Sequence, residues 1–352
     1  MGNMTKYAGL VTKIRAMQAR LLKDSHYEEI ANLSSVPQMV SYLKEKTVYG
    51  PVLEPIDEAH MHRGDLEKIM TLTLYHDYSK IYRFANLEVR KMLKLYLRSF
   101  EVALINYCLR IVINNYQEPF DINYRQPFFD KYSSISIAKL IRSKSLAELI
   151  ENLKDSEYYP CLKALENRKS QGTPSLFDYD LSLTLYCYSA AWKTRSKLIK
   201  AKDKQAFINE WGSKIDLLNL EWVYRAKKYY QMEAAHIYAI IIPNHYLISA
   251  AQIKSIVEAA NQEECLKAIA STKYGRHFTP GQEQTLEQLY PRILQDLYRT
   301  NHHKNPYSLA TIHNYLYLKT EELSKLTTAM ECLRYSLSSS ETLAYIKAVG
   351  GN

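Results

Sequence analysis

Apolar residues recur at steps of three and four along most of this chain, which is the spacing of one face of an α-helix. The clearest example is residues 215–230, IDLLNLEWVYRAKKYY, where Leu217 and Leu220 fall on the same face. No glycine or proline interrupts the pattern between Gly64 and Pro119, and such breaks are what would mark turns. No segment alternates apolar and polar residues beside a hairpin signal. The pattern therefore predicts an all-α fold.

Three stretches share one layout, in which an acidic residue is followed by apolar residues at helical spacing. They begin at Glu101, Asp216 and Glu322. The first two stretches also carry a later arginine, Arg110 and Arg225 respectively. Glu101 and Asp216 are expected in the first turns of their helices, where negative charge suits the helix dipole. The arginines lie on another turn and are expected to pair with acids of a neighbouring block.

A separation of about 110 residues between these starting points predicts three related helical blocks, as in proteins with internal repeats. The third stretch departs from the layout. It has Lys325 where Asn219 stands in the second stretch, and Glu331 where the other two have arginine. The expected blocks are residues 1–120, 121–240 and 241–352.

The net charge of +9 is concentrated in two stripes with helical spacing. One stripe is Arg90, Lys94 and Arg98, and the other is Lys193, Lys197 and Lys200. Each stripe is either a solvated helix face or a contact for an anionic partner, such as an acidic protein surface or lipid headgroups. No motif for binding nucleic acid is present. These six residues are the candidates for partner contact.

Tyrosine and cysteine usage adds to the picture. The chain has 30 tyrosines, interpreted as filling helix seams with the hydroxyl at the wet edge, or as exposed contacts for a partner. Its 5 cysteines are scattered and form no C-x-x-C, which is typical of a reducing compartment. No apolar run approaches the roughly 20 residues that span a bilayer. We expect a cytoplasmic protein, or one peripheral to the cytoplasmic face of a membrane.

Motifs of catalysis and nucleotide binding are missing. There is no phosphate-binding G-x-x-x-x-G-K-[ST] loop, no H-E-x-x-H and no G-x-S-x-G. Three residue pairs are left as candidates: His60 with His62, His302 with His303, and Asp178 with Asp180. The histidine pairs are interpreted as structural or exposed instead of metal-binding, and the aspartates as N-terminal acids of a helix. We predict no catalytic residue, cofactor or metal.

Four segments carry a resemblance to a known family. They are YAGLVTKIRAMQARLL at 7–22, FEVALINYCLR at 100–110, IDLLNLEWVYRAKKYY at 215–230 and HKNPYSLATIHNYLYLKTEELSKL at 303–326. With these segments the chain resembles the central-stalk C subunit of bacterial and archaeal A/V-type rotary ATPases, the counterpart of the d subunit of the eukaryotic vacuolar enzyme. Lys325 and Glu331 differ from the residues expected at these positions of the third stretch, and they argue against a polar network built from its helix.

The resemblance implies a funnel of three pseudo-equivalent helical blocks around a central cavity. It implies a non-catalytic rotor subunit that links the membrane rotor ring to the shaft made by the D and F subunits during sodium or proton transport. The repeat residues Glu101, Arg110, Asp216, Asn219, Arg225 and Glu322 are then internal braces, or direct contacts to the shaft. The alternatives are a generic helical-repeat scaffold that binds an acidic protein partner, and an enzyme with unrecognised chemistry.

Overall fold

The computed structural model describes residues 3–54, 63–116, 120–167, 174–198, 201–277 and 286–349. Over these residues the chain is helical without a β-strand, which confirms the predicted all-α fold. The helices of the first half are α1 (Asn3–Gln18), α2 (Asp24–Ala31), α3 (Val36–Lys46), α4 (Gly50–Leu53), α5 (Arg63–Phe84), α6 (Leu87–Ile113), α7 (Gln126–Tyr132), α8 (Ile137–Ile141), α9 (Leu146–Asn152) and α10 (Tyr159–Glu166). Those of the second half are α11 (Leu176–Leu198), α12 (Ala201–Tyr230), α13 (Ala234–Ile240), α14 (Ala250–Val257), α15 (Gln262–Ala270), α16 (Leu286–Lys304), α17 (Leu309–Arg334) and α18 (Ser339–Val349).

The acidic residues of the predicted repeat lie in the middle of long helices. Helix α6 begins at Leu87, where the side chain of Asn86 caps it by accepting a hydrogen bond from the Val89 N–H at 3.0 Å. Glu101 therefore comes several turns later, and Asp216 lies equally deep in α12. The expectation that these two acids occupy first turns is wrong, because apolar periodicity continues upstream of both. The helix dipole, whose effect is confined to the end turns, does not explain them.

Buried side chains of the described residues form three separate hydrophobic clusters. The first is built by α1, the second half of α5, α6 to α11, and the start of α17. The second is built by the end of α12 with α13 to α16. The third packs α2 to α4 against the first half of α5, the end of α17 and α18. The third cluster combines residues from both ends of the chain. The first cluster contains residues on both sides of position 120, and the second contains residues on both sides of position 240.

Helix α17 contributes to all three clusters. Its residues 309–316 lie in the first cluster and its residues 326–333 lie in the third. Between them the Tyr317 ring stacks on the Tyr298 ring, which belongs to the second cluster, with ring centroids 4.7 Å apart. Because protein interiors are close-packed, a displacement of one cluster is passed to the others through this helix.

Tyrosines fill many of the helix seams, as one interpretation of the sequence predicted. The Tyr75 ring stacks on Phe128 at 4.1 Å, and the buried Tyr78 hydroxyl donates to the Leu93 carbonyl at 2.9 Å. Other tyrosines are exposed, notably Tyr230 at 67%. The 5 cysteines are all free thiols, as predicted from their scattered positions.

Candidate functional site

Each acidic residue of the predicted repeat accepts a hydrogen bond from a buried tyrosine hydroxyl that is distant in the chain. In the first of these carboxylate–tyrosine pairs, Tyr158 donates to Glu101 at 2.7 Å. The Ser133 hydroxyl donates to the other carboxylate oxygen at 2.5 Å. Glu101 is only 7% exposed. Burial raises its pKa, and the two hydrogen bonds oppose that rise.

The second pair joins Asp216 on α12 to Tyr274, whose hydroxyl donates at 3.0 Å. Asp216 also accepts backbone N–H bonds from Tyr246 at 2.8 Å and Leu247 at 2.7 Å. These bonds hold the loop that precedes α14 against α12. Burial raises the pKa of Asp216 and the donated hydrogen bonds lower it.

The third pair joins Glu322 on α17 to Tyr49, whose hydroxyl donates at 2.5 Å. The Glu322 carboxylate also accepts from the Leu22 N–H at 2.6 Å and from the Lys319 ammonium at 2.7 Å. Glu322 is 3% and Lys319 4% exposed, so this is a buried ion pair. The bonds from Tyr49 and Leu22 tie α17 to two segments near the N-terminus. The departure at Lys325 leaves this network intact, because Lys325 pairs with Glu321 at 2.8 Å instead.

The three tyrosines are presented by the same local structure. Each follows a short helix, α3, α9 or α15, which is capped by Ser35, Ser145 or Asn261. Two residues before each tyrosine is a hydroxyl side chain that donates to a carbonyl of that helix. These bonds are Thr47 to Leu43 at 2.5 Å, Ser156 to Leu153 at 2.6 Å and Thr272 to Ile269 at 2.7 Å.

Glycine follows the tyrosine in two of the three segments for a steric reason. A Cβ on Gly50 would lie 2.6 Å from the Lys44 carbonyl oxygen, and one on Gly275 would lie 1.7 Å from the Ala270 carbonyl oxygen. The sequence analysis did not identify the tyrosines as partners of the acids. The available signal was the recurrence of a hydroxyl residue, one intervening residue and tyrosine, as in KTVYGP at 46–51, DSEYYP at 155–160 and STKYGR at 271–276.

Asn219, another candidate brace, lies one turn beyond Asp216 and is 3% exposed. Its side-chain amide donates to the Ile242 carbonyl at 2.9 Å, and its oxygen accepts from the Ile242 N–H at 2.8 Å. The side-chain amide thus pairs with both backbone groups of Ile242, as a neighbouring backbone segment would, just after the end of α13. Asp216 and Asn219 together attach this segment to α12.

The two arginines of the repeat do not form the expected buried pairs. Arg110 is exposed at the end of α6. The Arg225 side chain is 49% exposed and lies 3.7 Å from Glu221 on the same helix. The predicted pairing with an acid of a neighbouring block is therefore wrong for Arg225, whose acidic partner lies on its own helix, and the exposed Arg110 forms no buried pair. Both arginines fall on the outward faces of their helices, so their charges remain in contact with water.

Two adjoining cavities share Thr184 and Trp222 in their walls, and we call the two together the aromatic groove. The first part has a volume of about 420 Å³ and the second about 490 Å³. Large apolar side chains dominate the walls, among them Tyr96, Tyr188, Trp211, Leu218, Trp222, Tyr298, Phe177, Leu181, Tyr230 and Met232. Arg225 lines the second part, which places this repeat residue at a surface instead of in the core. The groove was not predictable from local sequence, because its walls come from five helices and the loop after α12.

A buried contact between a histidine and a glutamate lies beside the groove. Nδ1 of His313 on α17 contacts the carboxylate of Glu210 on α12, and each residue is 2% exposed. Burial lowers the pKa of His313 to about 3. The His313 imidazole is therefore neutral at neutral pH. Glu210 also lines the first part of the groove.

The first basic stripe is largely used within the protein. Arg98 binds Glu157 through two hydrogen bonds of 2.6 Å. The Arg90 guanidinium donates to the Tyr82 carbonyl at 3.0 Å. Lys94 remains exposed. The stripe therefore does not present three free charges, although Lys94 keeps its candidacy for partner contact.

In the second stripe Lys193 is exposed. The Lys197 side chain and the whole of Lys200 lie outside the described residues, as do His60 and His62. Asp178 lies in the first turn of α11 and accepts from the Ser175 N–H at 2.7 Å, so its predicted place at a helix N-terminus is confirmed. For Asp180 the prediction is wrong, because α11 begins at Leu176 and Asp180 lies beyond its first turn, where it accepts from the Asn106 amide. Across the described ranges no group of three or more His, Cys, Asp and Glu residues is arranged to hold a metal. No helix in those ranges is long and apolar enough to cross a membrane.

Comparison with known proteins gives concordant matches. A family model described as ATP synthase (C/AC39) subunit matches residues 10–345. The chain is 24% identical over 334 residues to the C subunit of the A-type ATP synthase of Methanosarcina mazei, covering 92% of this chain and 87% of that protein. For the same subunit of Pyrococcus horikoshii the identity is 24% over 331 residues, covering 92% and 85%. For that of Pyrococcus abyssi it is 26% over 277 residues, covering 77% and 69%.

Proposed function

We propose that this chain, which belongs to the ATP synthase (C/AC39) subunit family, is a non-catalytic central-stalk component of an A/V-type rotary ATPase. In this role it links the membrane rotor ring to the shaft made by the D and F subunits on the cytoplasmic face. It transmits torque between them while the complex transports sodium or protons. The observation that carries the proposal is the family match over residues 10–345. These residues include all three carboxylate–tyrosine pairs.

The carboxylate–tyrosine pairs support a division into three pseudo-equivalent helical blocks. In each pair a long helix holds a short helical segment through a buried carboxylate. The Tyr49 pair closes a block from both ends of the chain, since its acid, Glu322, lies on α17. Separating any of these pairs leaves a buried carboxylate short of a hydrogen-bond donor, at a cost of about 1–3 kcal/mol. Such pairs suit a part that carries torque without yielding.

The aromatic groove is the proposed seat of the shaft tip. It offers the exposed apolar surface that a helical partner buries on docking, and its edge carries Arg225 and Asp180 for polar contacts. Aromatic side chains such as Trp222 dominate binding energy at interfaces of this kind. The rival function, a scaffold for an acidic partner, gains no support from the first basic stripe, because Arg90 and Arg98 are engaged within the chain.

The proposal is tested by measuring whether the purified chain binds a D–F shaft and a detergent-solubilised rotor ring at the same time. We expect a ternary complex without ATP hydrolysis. Trp222→Ala combined with Tyr188→Ala is expected to weaken shaft binding about 30-fold or more, as for interface hot spots, and to leave ring binding unchanged. Tyr335→Ala, at a side chain 69% exposed away from the groove, is the matched control. Binding to neither component, or ATP hydrolysis by the chain alone, refutes the proposal.

A further inference from the structure

The turn between α5 and α6 exposes two apolar side chains, and we call its residues 83–91 the α5–α6 tip. Leu87 is 70% exposed, the highest value among the large hydrophobic residues described, and Phe84 is 53% exposed. Between them Ala85 is 4% exposed and packs into the first hydrophobic cluster, while Asn86 caps α6. The two apolar side chains therefore project from a turn that is itself well anchored.

Cationic side chains surround these apolar residues. The Lys13 ammonium on α1 lies 5.5 Å from the centroid of the Phe84 ring. Arg83 immediately precedes Phe84 and is exposed. Lys91 is exposed one helical turn beyond Leu87 and on the same face. Three elements thus contribute positive charge around one apolar point.

Two acids lie near the tip, Glu88 and Asp203, and both contact the Lys6 ammonium, which balances one of their two charges. The Lys6 ammonium lies 2.7 Å from Glu88 and 3.1 Å from Asp203. The Asp203 side chain is only 5% exposed. The Arg90 guanidinium adds a further cation that closes the end of α5 by bonding the Tyr82 carbonyl. The charge that the tip presents to solvent is therefore positive.

We propose that the α5–α6 tip docks on an anionic phospholipid surface. Phe84 and Leu87 enter the headgroup region, while Lys13, Arg83 and Lys91 contact lipid phosphates. An apolar point within a ring of long basic side chains has the amphipathic pattern of interfacial anchors. Anionic headgroups supply the complementary charge. This contact adds a lipid surface to the proposed function but does not depend on it.

The test is cosedimentation of the full chain with vesicles of phosphatidylcholine, alone or mixed with phosphatidylglycerol. We expect binding to the mixed vesicles that weakens as salt is added. Phe84→Ser with Leu87→Ser is expected to reduce this binding about tenfold or more, since it removes the buried apolar area. Arg83→Gln with Lys91→Gln is expected to reduce it about 10- to 30-fold, as two interfacial charges are lost.

Tyr335→Ser is the control, because that side chain is 69% exposed and its cation contact comes from the single neighbouring residue Arg334 instead of from three elements. It should bind the mixed vesicles as the wild type does, and all variants are checked for an unchanged helical spectrum. The proposal is overturned if the wild type ignores phosphatidylglycerol at low salt, or if both double variants bind like the wild type. It is also overturned if the double variants lose only binding to a detergent-solubilised rotor ring, since the tip is then a protein contact. Because ring and shaft binding are measured without vesicles, failure here leaves the proposed function standing.

Discussion

Replacing the tyrosine of each carboxylate–tyrosine pair by phenylalanine is expected to destabilise the protein by unequal amounts, because the three acids differ in how many other donors they have. Each variant removes only a hydroxyl, and a hydrogen bond to a charged group contributes about 1.5–3 kcal/mol. Without the Tyr158 hydroxyl, Glu101 keeps Ser133 as its one donor among the described residues. Tyr158→Phe is therefore expected to cost about 2–3 kcal/mol, because a buried carboxylate oxygen loses its donor.

The other two acids retain more partners. After Tyr274→Phe, Asp216 still accepts two backbone N–H bonds. After Tyr49→Phe, Glu322 still accepts from Lys319 and from the Leu22 N–H. Both variants are expected to lower the free energy of unfolding by about 1–1.5 kcal/mol. This is less than for Tyr158→Phe, because the carboxylates of Asp216 and Glu322 keep other donors.

The assay is equilibrium unfolding in urea, followed by the helical circular dichroism signal. A lower midpoint at unchanged slope reports a loss of stability. Tyr335→Phe is the matched control, at a side chain that is 69% exposed, and should stay within about 0.5 kcal/mol of wild type. If Tyr158→Phe unfolds like this control, or if Tyr274→Phe costs more than Tyr158→Phe, the count of remaining donors does not govern stability.

Two further predictions concern the charged residues of the repeat. Burial raises the pKa of Glu101 in the folded state, so its contribution to stability is present below the unfolded pKa and is lost as pH rises through the folded pKa. Glu101→Gln should therefore gain stability relative to wild type as pH rises through that window, and urea unfolding at a series of pH values showing a constant difference would contradict this. Arg225→Ala should change the free energy of unfolding by no more than about 0.5 kcal/mol, because its ion pair with Glu221 is exposed. A loss above about 2 kcal/mol in the same assay would mean that Arg225 has a buried partner after all.

Much of the fold class and part of the candidate site were predictable from local sequence. Periodicity of apolar residues is a property of neighbouring positions, so the long helices around residues 101, 216 and 322 were evident. The recurrence of an acid in each helix was visible for the same reason. Spacing also indicated Asp178 as a residue of a helix N-terminus, where its carboxylate caps α11.

The functional surfaces were less predictable, because each combines residues from several elements. The aromatic groove has walls from α6, α11, α12, α13 and α16. The α5–α6 tip includes the Lys13 ammonium from α1, which lies near the Phe84 ring. Phe84 and Leu87 are exposed because no other described helix packs over them. Helical spacing places Arg90, Lys94 and Arg98 on one face, but it does not reveal that Glu157 neutralises Arg98.

By itself the sequence determined that the fold is all-α and that an acid recurs within each of three long helices, since both follow from spacing along the chain. Only the tertiary structure decided what those acids do. Glu322 meets Tyr49 from the opposite end of the chain, and Glu101 meets Tyr158 across intervening helices. Likewise, Arg225 and Asp216 belong to one helix, yet one is solvated and the other buried. The physical reason is that burial and hydrogen-bond partners depend on which distant segments pack against a helix face, and that packing is not encoded in any local pattern.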